Sequence, residues 1–242
     1  LWLREVKRFA RAKSRVASAI AMPLMWLVFF GVGFSSSFVF PGLKGGYLAF
    51  LAPGVVAIAL LFSSVFSGVS VLWDKQFGFL KEILVAPVSR TSIVLGKTLG
   101  GASTSMVQGL AMLGLAILVV GRFPGVLPTL AMVGVCMLIS LAFVSLGVSF
   151  ASTMEDPHGF QLIMNFIVMP MFFLSGAFFP LTGVPTWMRI LSYVNPMTYG
   201  VDALRGFFSG ENALPLLLDL SVLVGVCVGF LFLGAYLFKR KP

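Results

Sequence analysis

The chain is 242 residues long, 59% hydrophobic and only 10% charged, with a formal net charge of +9. That balance excludes a soluble domain and describes one integral membrane domain over residues 1–242. In a soluble protein so basic a chain would suggest nucleic acid. Here the cations sit at the ends of apolar runs, where membrane topology accounts for them, so no nucleic-acid partner is expected.

Residues 1–15 carry Arg4, Lys7, Arg8, Arg11 and Arg15 at spacings that stack on one helical face, with Val6, Phe9 and Ala10 on the other. This pattern predicts an amphipathic interface helix lying at an anionic membrane surface, its cations toward headgroups or a partner. It also serves as a topology signal. With Leu at position 1, the numbering is expected to begin inside a longer chain, and no cleavable signal is evident.

The first expected span is 16–34, interrupted by Pro23. A Ser- and Gly-rich loop with Lys44 leads to the second, 47–72, in which Pro53 predicts a kink near the outer end. Residues 73–98 form the long polar-containing insert, WDKQFGFLKEILVAPVSRTSIVLGKT. On a helical wheel Lys75, Gly78, Lys81 and Glu82 share one sector; Phe77, Phe79, Leu80, Ile83 and Leu84 fill the other, and Pro87 ends the pattern. Such a helix either lies on the lipid surface or is a handle for another protein.

The third span, 99–120, turns through Arg122 and Pro124 into the fourth, 127–151, which a small acidic loop, 152–159, joins to the fifth, 160–179. Pro170 is central in that fifth run, and Gly176 lies near its end. Residues 181–213 are too apolar for an open loop and too polar to span. They predict two short helices broken at Asn195-Pro196, dipping into the outer leaflet and anchored by Trp187, Tyr193 and Tyr199. The sixth span, 214–238, ends at Lys239-Arg240-Lys241. With both termini inside, thirteen of the 17 Lys and Arg fall on the cytosolic side, so six spans with cytosolic ends is the expected topology.

Chemistry-bearing motifs are few. Gly96-Lys97-Thr98 resembles the end of a phosphate loop, but Thr91 occupies the first glycine position and no buried strand precedes it. Glu155, Asp156 and His158 are too few for a metal site, and the single histidine rules out the usual nucleophilic arrangements, so no catalytic or metal residues are expected. Cys136 and Cys227 both fall in apolar runs, against a structural disulfide. Span interiors hold neutral groups such as Gln108 and Asn165, with Asp219 near the outer end of the sixth; this favours an external motor over internal ion coupling. Gly225-x-x-x-Gly229 would allow close helix approach.

Three stretches resemble a known family: LREVKRFARAKSRV, FGFLKEILVAPVSRTSIVLGK, and PMFFLSGAFFPLTGVPTWMRILSYVNPMTYGVDALRG. They resemble the permease subunit of type-2 ABC exporters, the group containing drug-resistance and nodulation-factor permeases. The resemblance covers essentially the whole chain. It implies an all-α integral membrane protein with six transmembrane helices, a cytosolic coupling helix, and outer re-entrant helices between spans five and six. It implies a separate ATPase subunit that carries ATP and Mg, with no cofactor in this chain, and a permease dimer, for which a homodimer is the simpler expectation. Within the insert, Phe77, Phe79, Leu80, Lys81 and Glu82 become coupling contacts, and Pro87 with Arg90 shapes the return to the membrane. Pro180, Pro185, Asn195, Pro196, Tyr199, Asp202 and Arg205 match the outer pattern in structural roles. The expected location is a prokaryotic plasma membrane and the expected substrate amphipathic or lipid-linked. The alternative is a self-contained ion-coupled carrier or channel; a scaffold without transport is a third reading.

Overall fold

The computed structural model describes residues 2–11, 13–33, 46–79 and 89–240; the side chains of residues 10, 13–19, 90 and 238–240 fall outside the description. Among the described residues there is no strand. The helices are α1 (Trp2–Arg11), α2 (Lys13–Trp26), α3 (Gly46–Ser67), α4 (Val69–Gln76), α5 (Arg90–Val120) and α6 (Val126–Thr153), then α7 (Pro157–Phe173), α8 (Thr186–Val194), α9 (Pro196–Ser209) and α10 (Leu216–Arg240).

The bundle is arranged around α3, which is apolar on every side and therefore buried on every side. It packs against α5, α6 and α9, while α10 lies along α6. Gly68 separates α3 from α4. A Cβ there would come within 2.5 Å of the Gly147 carbonyl, and a Cβ at Gly147 would drive into the Val65 carbonyl oxygen, so the two glycines let α3 and α6 cross backbone to backbone. By contrast, a Cβ on Gly225 or Gly229 would meet nothing within 4 Å among the described residues, so the close approach these glycines would allow is not made to any of them.

Among the described residues four stretches are long and apolar enough to cross a membrane: Gly46–Gln76, Thr91–Val120, Val126–Thr153 and Leu216–Leu237. The first expected span is a shorter apolar stretch, Ile20–Val32. Pro23 lies inside α2, and the chain continues as a π-helical segment over Leu27–Val32. The fifth is also shorter than the 160–179 expectation. Its helix α7 holds 17 residues, about 26 Å at ~1.5 Å per residue, against a hydrocarbon core of ~30 Å. Leu174 ends it, and Gly176 with φ 71° turns the chain away. The segment between α7 and α10 does form two short helices. Asn195 is the hinge: its Oδ1 accepts from the Met197 N–H at 3.0 Å, its Nδ2 donates to the Met171 carbonyl at 2.7 Å, and Pro196 opens α9.

The insert differs most from its sequence reading. Residues from Arg90 onward already belong to α5, started by Ser89, whose hydroxyl accepts from the Ser92 N–H at 3.2 Å. The stretch from Trp73 to Gln76 is the end of α4, and Gly78 sits at φ 75°. A left-handed residue cannot lie inside a right-handed helix, so the helix that holds Lys75 does not continue through Gly78; Lys81, Glu82, Ile83 and Leu84 of the expected wheel lie outside the described residues.

Candidate functional site

The connection from α4 to α5 is held by charge. Lys97, on the third turn of α5, leaves only 1% of its side chain exposed; its Nζ donates to Glu5 Oε1 of α1 at 2.6 Å and to Asp74 Oδ2 of α4. Arg4 closes the set. Its guanidinium donates to the same Asp74 oxygen, lies 3.6 Å from Glu5, and covers the Phe79 ring at 3.9 Å from the centroid. Two acids and two bases from three helices thus compensate one another, all but Arg4 largely removed from water. Gly100 permits the contact, since a Cβ there would come within 2.9 Å of Glu5, and Trp2 Nε1 adds a 2.9 Å bond to Ser103 Oγ.

Lys75, the next residue, faces the other way. Its Nζ donates to the carbonyls of Ala151, Ser152 and Met154 at 2.9, 2.6 and 2.8 Å, which closes the carboxyl end of α6. Phe77 is left 78% exposed, stacked on Trp73 with ring centroids 5.9 Å apart. Of the expected coupling residues, the structure places Phe79 against Arg4 of the charge cluster and Phe77, exposed, on Trp73 just after it in the chain. Leu80, Lys81, Glu82 and Pro87 lie outside the described residues, as does the side chain of Arg90. On α1, Lys7, Arg8 and Arg11 are exposed, Arg4 is drawn inward, and the side chain of Arg15 is outside the description.

Sequence reasoning missed the buried partners Glu5, Asp74 and Lys97. The available signal was compositional: one acid in a basic helix, one acid closing an apolar span and one lysine opening the next. Gly96-Lys97-Thr98 is ordinary helix inside α5, so its backbone N–H groups are spent on the helix and cannot cradle phosphate.

At the other end of the bundle every candidate residue holds backbone in place. Pro180 and Pro185 flank the short 3-10 turn Leu181–Gly183. The Tyr199 hydroxyl donates to the Tyr193 carbonyl at 2.7 Å, and Asp202 accepts from the N–H groups of Ala213 and Leu214 at 2.8–3.0 Å. Arg205 donates to the Gly176 carbonyl at 3.0 Å and stacks over Phe50. Beneath them Asp219 of α10 is 0% exposed, with no hydrogen-bond partner for either oxygen among the described residues. Among the described residues, buried ionisable side chains thus gather at both ends of the bundle, Glu5, Asp74 and Lys97 at one and Asp202, Arg205 and Asp219 at the other.

A cavity of about 400 Å³ lies between α1, α2, α3, α5 and α7, reaching from Glu5 and Arg8 to Phe172 and Phe178. Trp26 forms its aromatic wall, stacked on Phe30 at 5.0 Å and edge-on to Phe172 at 5.7 Å and Phe178 at 5.5 Å. Among the described residues no group of three or more metal-ligating side chains gathers.

Long apolar helices, a buried charge cluster and an aromatic cavity describe a multi-pass helical membrane protein. The chain belongs to the ABC-2 type transporter family, whose model matches residues 1–208, and it is the transmembrane subunit of an ABC transporter. It is 29% identical over 245 residues to an inner membrane transport permease, YadH, of Escherichia coli, covering 99% of this chain and 93% of that one. It is 31% identical over 222 residues to a putative transport permease, ycf38, of Cyanophora paradoxa, covering 86% and 73%. A probable doxorubicin resistance ABC transporter permease, DrrC, of Mycobacterium tuberculosis matches at 26% over 231 residues, covering 93% and 82%. The family works as membrane transport subunits of ABC transporters, which pair with an ATPase.

Proposed function

We propose that this permease, as a single domain over residues 1–242, is half of the membrane core of an ATP-driven exporter, paired with a second copy of itself and with a separate ATPase subunit that binds ATP and Mg. In this reading six spans, two of them the shorter apolar helices, put both termini in the cytosol of a prokaryotic cell, and α8 and α9 form an outer re-entrant pair. The substrate is amphipathic or lipid-linked. One observation carries the reading: Arg4, Glu5, Asp74 and Lys97 fasten the interface helix to both helices that flank the coupling segment, with Phe77 exposed just after Asp74 in the chain. A push on that segment then moves three helices together. ATP binding would draw two nucleotide-binding domains together and bias the permease between inward and outward arrangements. The free-energy difference between those states comes from ATP in the partner.

Reconstitution with the cognate ATPase tests this. Phe79→Ala together with Glu82→Lys is expected to reduce ATP-driven efflux at least tenfold while the permease still inserts and folds. Undiminished efflux would remove the coupling assignment. Asp219 is the observation that favours the ion-coupled alternative, because a buried carboxyl without a partner is the kind of group that carries a coupling ion. Gradient-driven flux in ATPase-free vesicles, abolished by Asp219→Asn, would establish that alternative.

A further inference from the structure

The cavity between α1 and α7 has two unlike walls and one charged end. Trp26, Phe62, Phe172 and Phe178 give it an apolar side. Opposite them, Ser63, Ser67 and Ser70 follow one another along α3 and α4, and Thr104 with Gln108 repeats the pattern on α5. Several of these hydroxyl hydrogens are already used. Ser67 Oγ donates to the Ser64 carbonyl at 2.7 Å, Thr104 Oγ1 to the Gly101 carbonyl at 2.8 Å, and Ser63 Oγ bonds Ser105 Oγ at 3.2 Å. Their oxygens remain as acceptors, so this wall suits a ligand with hydroxyl or amide donors partway along an apolar body.

The charged end selects sign. Glu5 reaches the cavity, but its carboxylate is held by Lys97 at 2.6 Å, and Asp74 behind it is held by Lys97 and Arg4. These four charges cancel, which leaves no acid among the described lining residues available to a cation. Arg8 also lines the cavity, is exposed, and forms no ion pair among the described residues. A volume of about 400 Å³ matches a drug-sized ligand, not a polymer.

We propose that this cavity, inside a single protomer, binds an anionic amphiphile whose apolar body lies against Trp26 and Phe172 and whose headgroup is held by Arg8. The site deepens the exporter reading and rests on it only in calling the bound molecule a substrate.

The test uses the permease alone in phosphatidylcholine nanodiscs, with Trp2, Trp73 and Trp187 replaced by Phe so that Trp26 is the only indole. The probes are 11-bromoundecanoate and 11-bromoundecyltrimethylammonium, which quench tryptophan on contact and differ in headgroup charge. Quenching by the anion is expected to saturate and to be about tenfold tighter than by the cation, as for one charge-assisted contact. Arg8→Gln should erase that preference and Arg8→Lys should restore most of it. Lys7→Gln, which removes an exposed cation from the same helix outside the cavity, should leave it intact. Non-saturating quenching, equal affinity for both probes, or an equal loss in Lys7→Gln would overturn the proposal. Saturable quenching confined to monomers and lost on dimerisation would also overturn it, because it would assign the groove to the second copy. ATP plays no part in this assay. Charge-selective binding without ATP-driven efflux therefore supports the site and removes the exporter reading, whereas ATP-driven efflux without charge-selective binding removes the site alone.

Discussion

Lys97 makes the sharpest single-residue prediction. Replacing it with Met leaves Glu5 and Asp74 buried with only the partly exposed Arg4 between them. Breaking a buried ion pair by removing one partner costs about 3–5 kcal/mol, so Lys97→Met should lower the thermal midpoint of the detergent-solubilised protein sharply. Adding Glu5→Gln removes one of the stranded charges, and the double variant should be more stable than Lys97→Met alone. Additive losses would mean that water reaches the cluster. None of this pairing is legible in the sequence, where the two partners stand 92 positions apart and no local rule of spacing joins them. A lysine near the start of a span reads as a topology signal, and the sequence treats it as one.

At the scale of elements, most of what was legible rests on local chemistry. The Asn195-Pro196 break, the apolar helix α3 and the acidic turn before α7 all follow from residues adjacent in the chain. The Asp156 cap is an example. Its carboxylate accepts from the N–H groups of Gly159 and His158 at 2.7 and 3.1 Å, and those bonds, Gly159 first, hold its pKa below the usual carboxylate value. A depressed native pKa means the cap is fully present above the ordinary range near ~pH 4 and is lost as pH falls through the lower native value. The Gly159 amide resonance should therefore titrate with a midpoint below that of a model aspartate, and Asp156→Asn should flatten the curve; a midpoint at or above the ordinary value would remove the cap from the account. Helix crossings, by contrast, depend on residues far apart in the chain. Spacing pointed to Gly225 and Gly229, yet the backbone contact is between Gly68 and Gly147, on different helices, where no sequence period can pair them. Gly147→Ala should destabilise by roughly 1–3 kcal/mol through overpacking, with Gly225→Ala as the silent control. Equal thermal midpoints for the two variants would contradict the crossing.

For the whole molecule, composition and the positions of the cations carried the class, because apolar length and end charge are properties of a linear chain. The cavity could not be read that way, since its walls come from residues as distant as Arg8 and Phe178. Its place between α1 and α7 bears on how the permease moves. The charge cluster ties α1, α4 and α5 into one body, whereas α2 and α7 line the cavity beside it, α2 resting on α5 and α7 on α4 without such charged ties among the described residues. A conformational change driven from the coupling segment should therefore preserve the α1–α5 contact and alter the α2–α7 wall. Trp2 and Ser103 report the first, being joined at 2.9 Å, and Met22 and Met169 line the second. With cysteines at Trp2 and Ser103, a short bifunctional thiol reagent should leave ATP-driven efflux within about twofold of the untreated protein, since it ties parts that move together. With cysteines at Met22 and Met169, a reducible reagent of the same length should stop efflux, and reductant should restore it. Native Cys136 and Cys227 are buried and leave the background low. If the first cross-link abolishes efflux as completely as the second, α1 slides on α5 during transport, and the charge cluster must break and reform in every cycle.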